Sequence, residues 1–212
     1  MYKKSLFPIH IYQNRIKEND LIRDEVFDKI QKIHSKNNLE KPQGWLTDKL
    51  FTSFNYQDLN LEIFTNTKTI DLYHEYIYKF FDLETKIEID DLWFNHYTDG
   101  DFQEVHTHLG NNVFQPSATF SCIHFLSFNP EIHSPVIFVD PNEHIRYSSL
   151  EMNSNGYNNR YIPSITEGDI FMFPSYLQHY VPKSPPTPDD PRITVAFNIR
   201  VIQYGDQTRR GN

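Results

Sequence analysis

The stretch RITVAFNIR, residues 192–200, decides how this chain is read. Successive side chains of a strand point to opposite faces. Arg192, Thr194, Ala196 and Asn198 therefore share one face, and Ile193, Val195 and Phe197 the other. The second set is wholly apolar and suits a core. The first opens with a guanidinium beside a hydroxyl, a fork of donors suited to the carboxylate of a small ligand.

Working outward from this strand, four more runs have the same character: KIEIDDLWFNHY (86–97), ATFSCIHFLSF (118–128), SPVIFVD (134–140) and GDIFMFPS (168–175). They are short, β-branched or aromatic, and separated by Gly, Pro, Asn and Asp, which reads as many strands joined by turns. The expected fold is mainly β with N-terminal helices, a jelly-roll sandwich or barrel. Two upstream segments carry helical spacing. NDLIRDEVFDKIQKIHSK (19–36) opens on Asn19 and Asp20 as cap candidates, and NTKTIDLYHEYIYKFFDL (66–83) has a broad apolar face. We expect one domain over 1–212, with a helical part at 1–85 buttressing a β core at 86–205. Residues 140–163 are polar and turn-rich and read as a lid beside a site. VPKSPPTPDDP (181–191) reads as a stiff surface connection.

Composition narrows the function. At 212 residues the chain can bury one good core, and 15% aromatic residues supply it. A net charge of -8, with both signs interspersed, argues against a grip on duplex nucleic acid or an anionic membrane. The single cysteine, Cys122, cannot form an intramolecular disulfide and fits a reducing compartment. The start lacks an apolar run of signal-peptide length, and no segment approaches the ~18 apolar residues of a membrane span. The expectation is a soluble, cytoplasmic protein.

Chemistry concentrates in GDFQEVHTHLG (100–110). His106 and His108, at i and i+2 of a strand, project together, close enough to share one cation. Neutral imidazole is the commonest ligand for iron, zinc and copper. A third ligand must come from elsewhere, and His179 in EGDIFMFPSYLQHYVP (167–182) is the best candidate. There Gly168 turns the chain into a strand, Pro174 ends it and His179 begins the next. Glu104, two before His106, is a reserve ligand. Each element alone has a bland reading as a core or surface residue; their order along the chain is what points to a site.

These blocks, with LFPIHIYQN (6–14) and LWFNHY (92–97), resemble the iron(II)/2-oxoglutarate-dependent oxygenases of phages and marine bacteria. The resemblance implies a double-stranded β-helix, Fe(II) as metal, 2-oxoglutarate and O2 as cosubstrates, and succinate and CO2 as products beside an oxidised substrate. It implies His106 and His179 as iron ligands, Arg192 with Thr194 on the far carboxylate of 2-oxoglutarate, and Asn95 and Asn198 lining the pocket. The chain departs from the wider superfamily at His108, which stands where a carboxylate is usual; three imidazoles also suit zinc. It departs again after the pair, where LGNNVFQPSATF (109–120) intervenes and His124 falls at an aromatic position. His124 is then either a cosubstrate contact or a core histidine. The cupins are a competing resemblance, since Gly100 to His108 and Gly168 to His179 fit parts of their two motifs. A cupin-like metalloenzyme without 2-oxoglutarate and a non-catalytic jelly-roll module therefore stay open. The primary substrate is not readable.

Overall fold

The computed structural model describes residues 8–36, 39–47, 50–65, 67–81, 85–109, 118–143, 158–187 and 189–203. In chain order the elements are β1 (Tyr12–Arg15), α1 (Asn19–Lys36), β2 (Phe51–Thr52), α2 (Gln57–Phe64), α3 (Thr69–Tyr78), β3 (Lys86–Tyr97) and β4 (Gln103–His106). They continue with β5 (Phe120–Ser127), β6 (Ile137–Val139), β7 (Arg160–Tyr161), β8 (Asp169–Pro174), β9 (His179–Val181) and β10 (Arg192–Gln203). The strands form two antiparallel sheets, a six-stranded one in the order β1-β8-β5-β10-β3-β2 and a four-stranded one in the order β4-β9-β6-β7. This is a jelly roll, with β10 at the centre of the larger sheet, paired to β3 on one side and β5 on the other.

The alternation along β10 divides the interior into two layers. Ile193, Val195, Phe197 and Ile199 pack with Cys122 and Leu126 against Ile22, Val26 and Ile30 of α1 and Tyr73 and Ile77 of α3. Burying each such aliphatic side chain stabilises the fold by about 1.5–3 kcal/mol, so this layer fixes the helices to the sheet. A second cluster, with Ile123, Phe125, Phe138, Phe171, Phe173 and Leu177, fills the space between the two sheets. The face carrying Arg192, Thr194, Ala196 and Asn198 looks into that space.

The first helix has the span that its spacing predicts. The second is shorter than 66–83, ending at Tyr78, and α2 is an additional helix whose eight residues are too few for a clear periodic signal. The N-terminal part is not purely helical. β1 pairs with β8 and β2 pairs with β3, so both extend the larger sheet. Within 140–163, Arg160 and Tyr161 form β7; residues 144–157 of that stretch lie outside the described residues, as do 110–117 of the segment after the histidine pair. Among the described residues no helix is long and apolar enough to cross a membrane.

The turn before β8 needs its glycine. Gly168 has φ +85°, and a Cβ there would stand 3.2 Å from Cβ of Asn19. Its carbonyl accepts from Ile16 N–H and its N–H donates to the Phe125 carbonyl, tying α1's approach to the sheet.

Candidate metal centre

β4 and β9 are neighbours in the smaller sheet, and their register pairs His106 with His179. The regular strand stops at His106, after a register irregularity. The chain nevertheless stays alongside, because His108 N–H donates to the Ser175 carbonyl at 2.9 Å. That bond, rather than a continuing ladder, brings His108 to the other two. One ring nitrogen from each of His106, His108 and His179 lies within 4.8 Å of the others.

The protonation of each ring is set from behind. Nδ1 of His106 donates to the Glu104 carbonyl at 2.8 Å, Nδ1 of His179 to the Leu177 carbonyl at 3.0 Å, and Nδ1 of His108 to Oδ1 of Asn198 at 2.9 Å. These oxygens can only accept, so each Nδ1 holds the proton and each Nε2 keeps its lone pair. Nε2 of His106 and Nε2 of His108 are 3.3 Å apart. Two lone pairs at that distance repel unless a cation lies between them, so the set fits a metal ion.

Burial holds all three imidazoles below the usual histidine range. For His108 the pKa falls to about 3, through burial first and then the neighbouring His106. His106 is lowered chiefly by burial. His179 is lowered well below its ordinary value by burial and then by His106 and His108. At neutral pH the three are uncharged, the form that ligates metal.

Asn198 is itself held. Its Oδ1 also accepts from the Ser121 hydroxyl at 3.0 Å, and its Nδ2 donates to Oδ2 of Asp91 at 3.1 Å. Register on β10 then leads from Asn198 past Ala196, which faces Trp93, and Thr194, which faces Asn95, to Arg192, which faces Tyr97. Arg192 is 1% exposed. Its guanidinium carbon lies 4.2 Å from the centre of the Tyr97 ring and 5.4 Å from that of Phe125. Burial lowers its pKa and Tyr97 opposes that fall; an arginine stays charged nonetheless. Nε and Nη1 have no hydrogen-bond partner among the described residues. A buried cation with unpaired donors fits an anionic ligand.

Residues 91–198, just over half the chain, match a family model described as "Putative 2OG-Fe(II) oxygenase". The chain belongs to this family. It is therefore an iron(II)- and 2-oxoglutarate-dependent oxygenase, an oxidoreductase of dioxygenase type with 2-oxoglutarate and O2 as cosubstrates. The match also decides between the two jelly-roll families that the motifs resemble. No curated protein sequence matches the oxygenase.

Solved structures agree on the fold. A prolyl-4-hydroxylase of Pseudomonas putida is 12% identical over 91% of this chain and 92% of its own, with a TM-score of 0.56. SnoN, an α-ketoglutarate-dependent epimerase from nogalamycin biosynthesis, is 12% identical over 91% and 78%, with a TM-score of 0.58. HygX of Streptomyces hygroscopicus, solved with nickel and 2-oxoglutarate bound, is 10% identical over 90% and 82%, with a TM-score of 0.56.

Not every residue singled out in the sequence reaches the candidate centre. His124 pairs with Val195, on the face that packs against the helices. It is 0% exposed, and its Nδ1 shares a 2.9 Å hydrogen bond with the Tyr73 hydroxyl. As a cosubstrate contact it is on the wrong side of the sheet; it is a core histidine. Glu104 is also turned to another task, its Oε1 accepting from Leu46 N–H at 2.9 Å. Asn198 stands behind His108 rather than beside Arg192. Asn95 and Thr194 share the inner face with Arg192, and Oδ1 of Asn95 is buried without a partner among the described residues. Trp93, Ser121 and Asp91 were missed, although Trp93 and Asp91 stand two and four residues before Asn95 on β3.

Proposed function

We propose that His106, His108 and His179 bind the iron(II) of this oxygenase, and that Arg192, with Thr194 and Asn95 on the same face, binds the far carboxylate of 2-oxoglutarate. The observation that carries the reading is the set of three Nε2 lone pairs converging while each Nδ1 proton is tied to an acceptor. Bound iron(II) and 2-oxoglutarate supply the oxidising chemistry, in which O2 is consumed, 2-oxoglutarate is converted to succinate and CO2, and the substrate is oxidised.

The chain's own residues orient and isolate. The Glu104 and Leu177 carbonyls and Asn198 fix the ring tautomers, so metal binding at neutral pH needs no deprotonation. The all-imidazole set brings no negative charge, which favours an anionic cosubstrate on the metal more than a carboxylate-containing set does. About 13 Å of strand, at about 3.3 Å per residue, separates Ala196 from Arg192. Only the hydroxyl of Thr194 and the methyl of Ala196 rise from β10 in this interval. Phe125, Phe138 and Phe173 keep the surroundings dry.

Anaerobic titration of the iron(II)-loaded protein with 2-oxoglutarate tests this reading. Chelation by the keto acid gives a charge-transfer absorption that saturates with the cosubstrate. Arg192→Ala leaves the far carboxylate unpaired, which costs ~2–5 kcal/mol, and the half-saturation point rises about 30-fold or more. An unchanged half-saturation point removes Arg192 from the cosubstrate site. Elemental analysis of the purified protein separates iron from zinc.

A further inference from the structure

Trp93 carries a polar atom that the site has not yet used. It is 3% exposed, and its Nε1 is buried with no hydrogen-bond partner among the described residues. A buried N–H in that state calls for an acceptor that the folded chain does not itself supply. Its place narrows what that acceptor is. On β3 it faces Ala196, whose side chain is a single methyl. Its ring centre is 5.4 Å from that of His108, and Phe54 closes the other side edge-on at 5.1 Å. Asn95 and Tyr97, on the same face of β3, lead from Trp93 to Arg192. The indole thus flanks the histidine end of the interval that Arg192 closes.

We propose that the indole N–H of Trp93 donates a hydrogen bond to an oxygen of 2-oxoglutarate, at the end of the cosubstrate held by the histidines. The inference rests on the reading of His106, His108, His179 and Arg192 given above. It makes Trp93 a third fixed point for the cosubstrate, beside the metal and the guanidinium, and assigns a role to the small residue at 196. An indole N–H and a carboxylate form a charge-assisted hydrogen bond, stronger than a neutral one.

Trp93 and Trp45 are the two tryptophans of the chain, so a Trp45→Phe protein has one indole to watch. In the zinc-loaded, 15N-labelled Trp45→Phe protein, adding 2-oxoglutarate moves the Trp93 indole proton downfield as it gains its acceptor. In parallel, Trp93→Phe keeps the ring against His108 and Phe54 and loses only the donor. It binds metal as the parent does and requires about tenfold more 2-oxoglutarate for half-saturation, or a larger excess, the scale of a lost hydrogen bond to a charged group. An indole resonance unmoved at saturating 2-oxoglutarate, or parental half-saturation in Trp93→Phe, overturns the inference. The spectral measurement needs no substitution at Trp93, so the test stands if Trp93→Phe does not fold. Failure of the parent protein to bind 2-oxoglutarate at all would instead overturn the reading of the site itself.

Discussion

Histidines of opposite kinds lie against the two faces of the larger sheet. On the helix side, His124 bonds Tyr73, while His96 stacks on His34 at 4.1 Å and approaches Gln31 at 3.3 Å. On the other side, Asn198 bonds His108, which meets His106 and His179. Burial lowers the pKa of His96, His108 and His124 alike to about 3. A depressed pKa therefore does not distinguish a ligand from a core residue here. Convergence does: the rings of His106, His108 and His179 direct their free nitrogens at one point, whereas His96 meets His34 and Gln31 and His124 meets Tyr73, with no third ligand group beside either among the described residues.

The widest separation between the faces is expected from removing a ring on each. His106→Ala and His179→Ala should each weaken metal binding by more than about 100-fold, exceeding the ~10–100-fold typical of losing a residue that merely supports a ligand. His124→Phe should retain metal fully. It leaves the Tyr73 hydroxyl unsatisfied, lowering unfolding stability by about 1–3 kcal/mol. Metal retained by the His106 and His179 variants, or lost in His124→Phe, would reverse the assignment of faces. Calorimetric metal titration paired with urea unfolding reads both quantities.

Asn198→Leu sharpens the comparison from behind the site. It removes the acceptor that keeps His108 in its metal-binding tautomer, and metal affinity should fall by ~10–100-fold. A parental affinity would mean that burial alone orients His108.

The smallest effect comes from pH, and on the helix side it is carried by His96 and His124. His96 and His124 have folded pKa values of about 3, below the ordinary 6.5. As pH falls below 6.5 the unfolded chain takes up protons that the folded one refuses, so stability declines through the window from 6.5 towards 3 and is level above it. Each group contributes up to about 1.4 kcal/mol per pH unit in that window. Urea unfolding of metal-free His124→Phe should show a shallower decline between pH 6 and 5 than the parent. Equal slopes would mean that His124 is protonated without strain.

Much of the site was legible because period-two spacing is unambiguous where one face is polar. His106, His108 and Arg192 follow from it, and His179 from the turn and strand signals of Gly168 and Pro174 before it, although His108 is held by the Ser175 carbonyl and not by a strand. His124 was not legible. In β5, FSCIHFLS, nearly every position is buried on one side or the other, so alternation cannot say which face is which. Asn198 was legible as an inner-face residue, but its partners come from β3, β5 and the turn after His106, and only the register reveals them. The short strands β1 and β2 lack the length for a pattern, and their pairing comes from the sheet they join.

The bulge in β3 beside Phe197 and Ile199 of β10 bears on how the chain avoids misassembly. Phe197 pairs with Leu92 and Ile199 with Ile89, so β3 holds one extra residue there while β10 keeps its alternation. A slip by one position would thrust a guanidinium into the helix layer and turn isoleucine towards the imidazoles. That misthreaded form would forfeit its apolar contacts and its ligand pocket together, so correct closure of the sandwich and competence for chemistry are sorted by the same step.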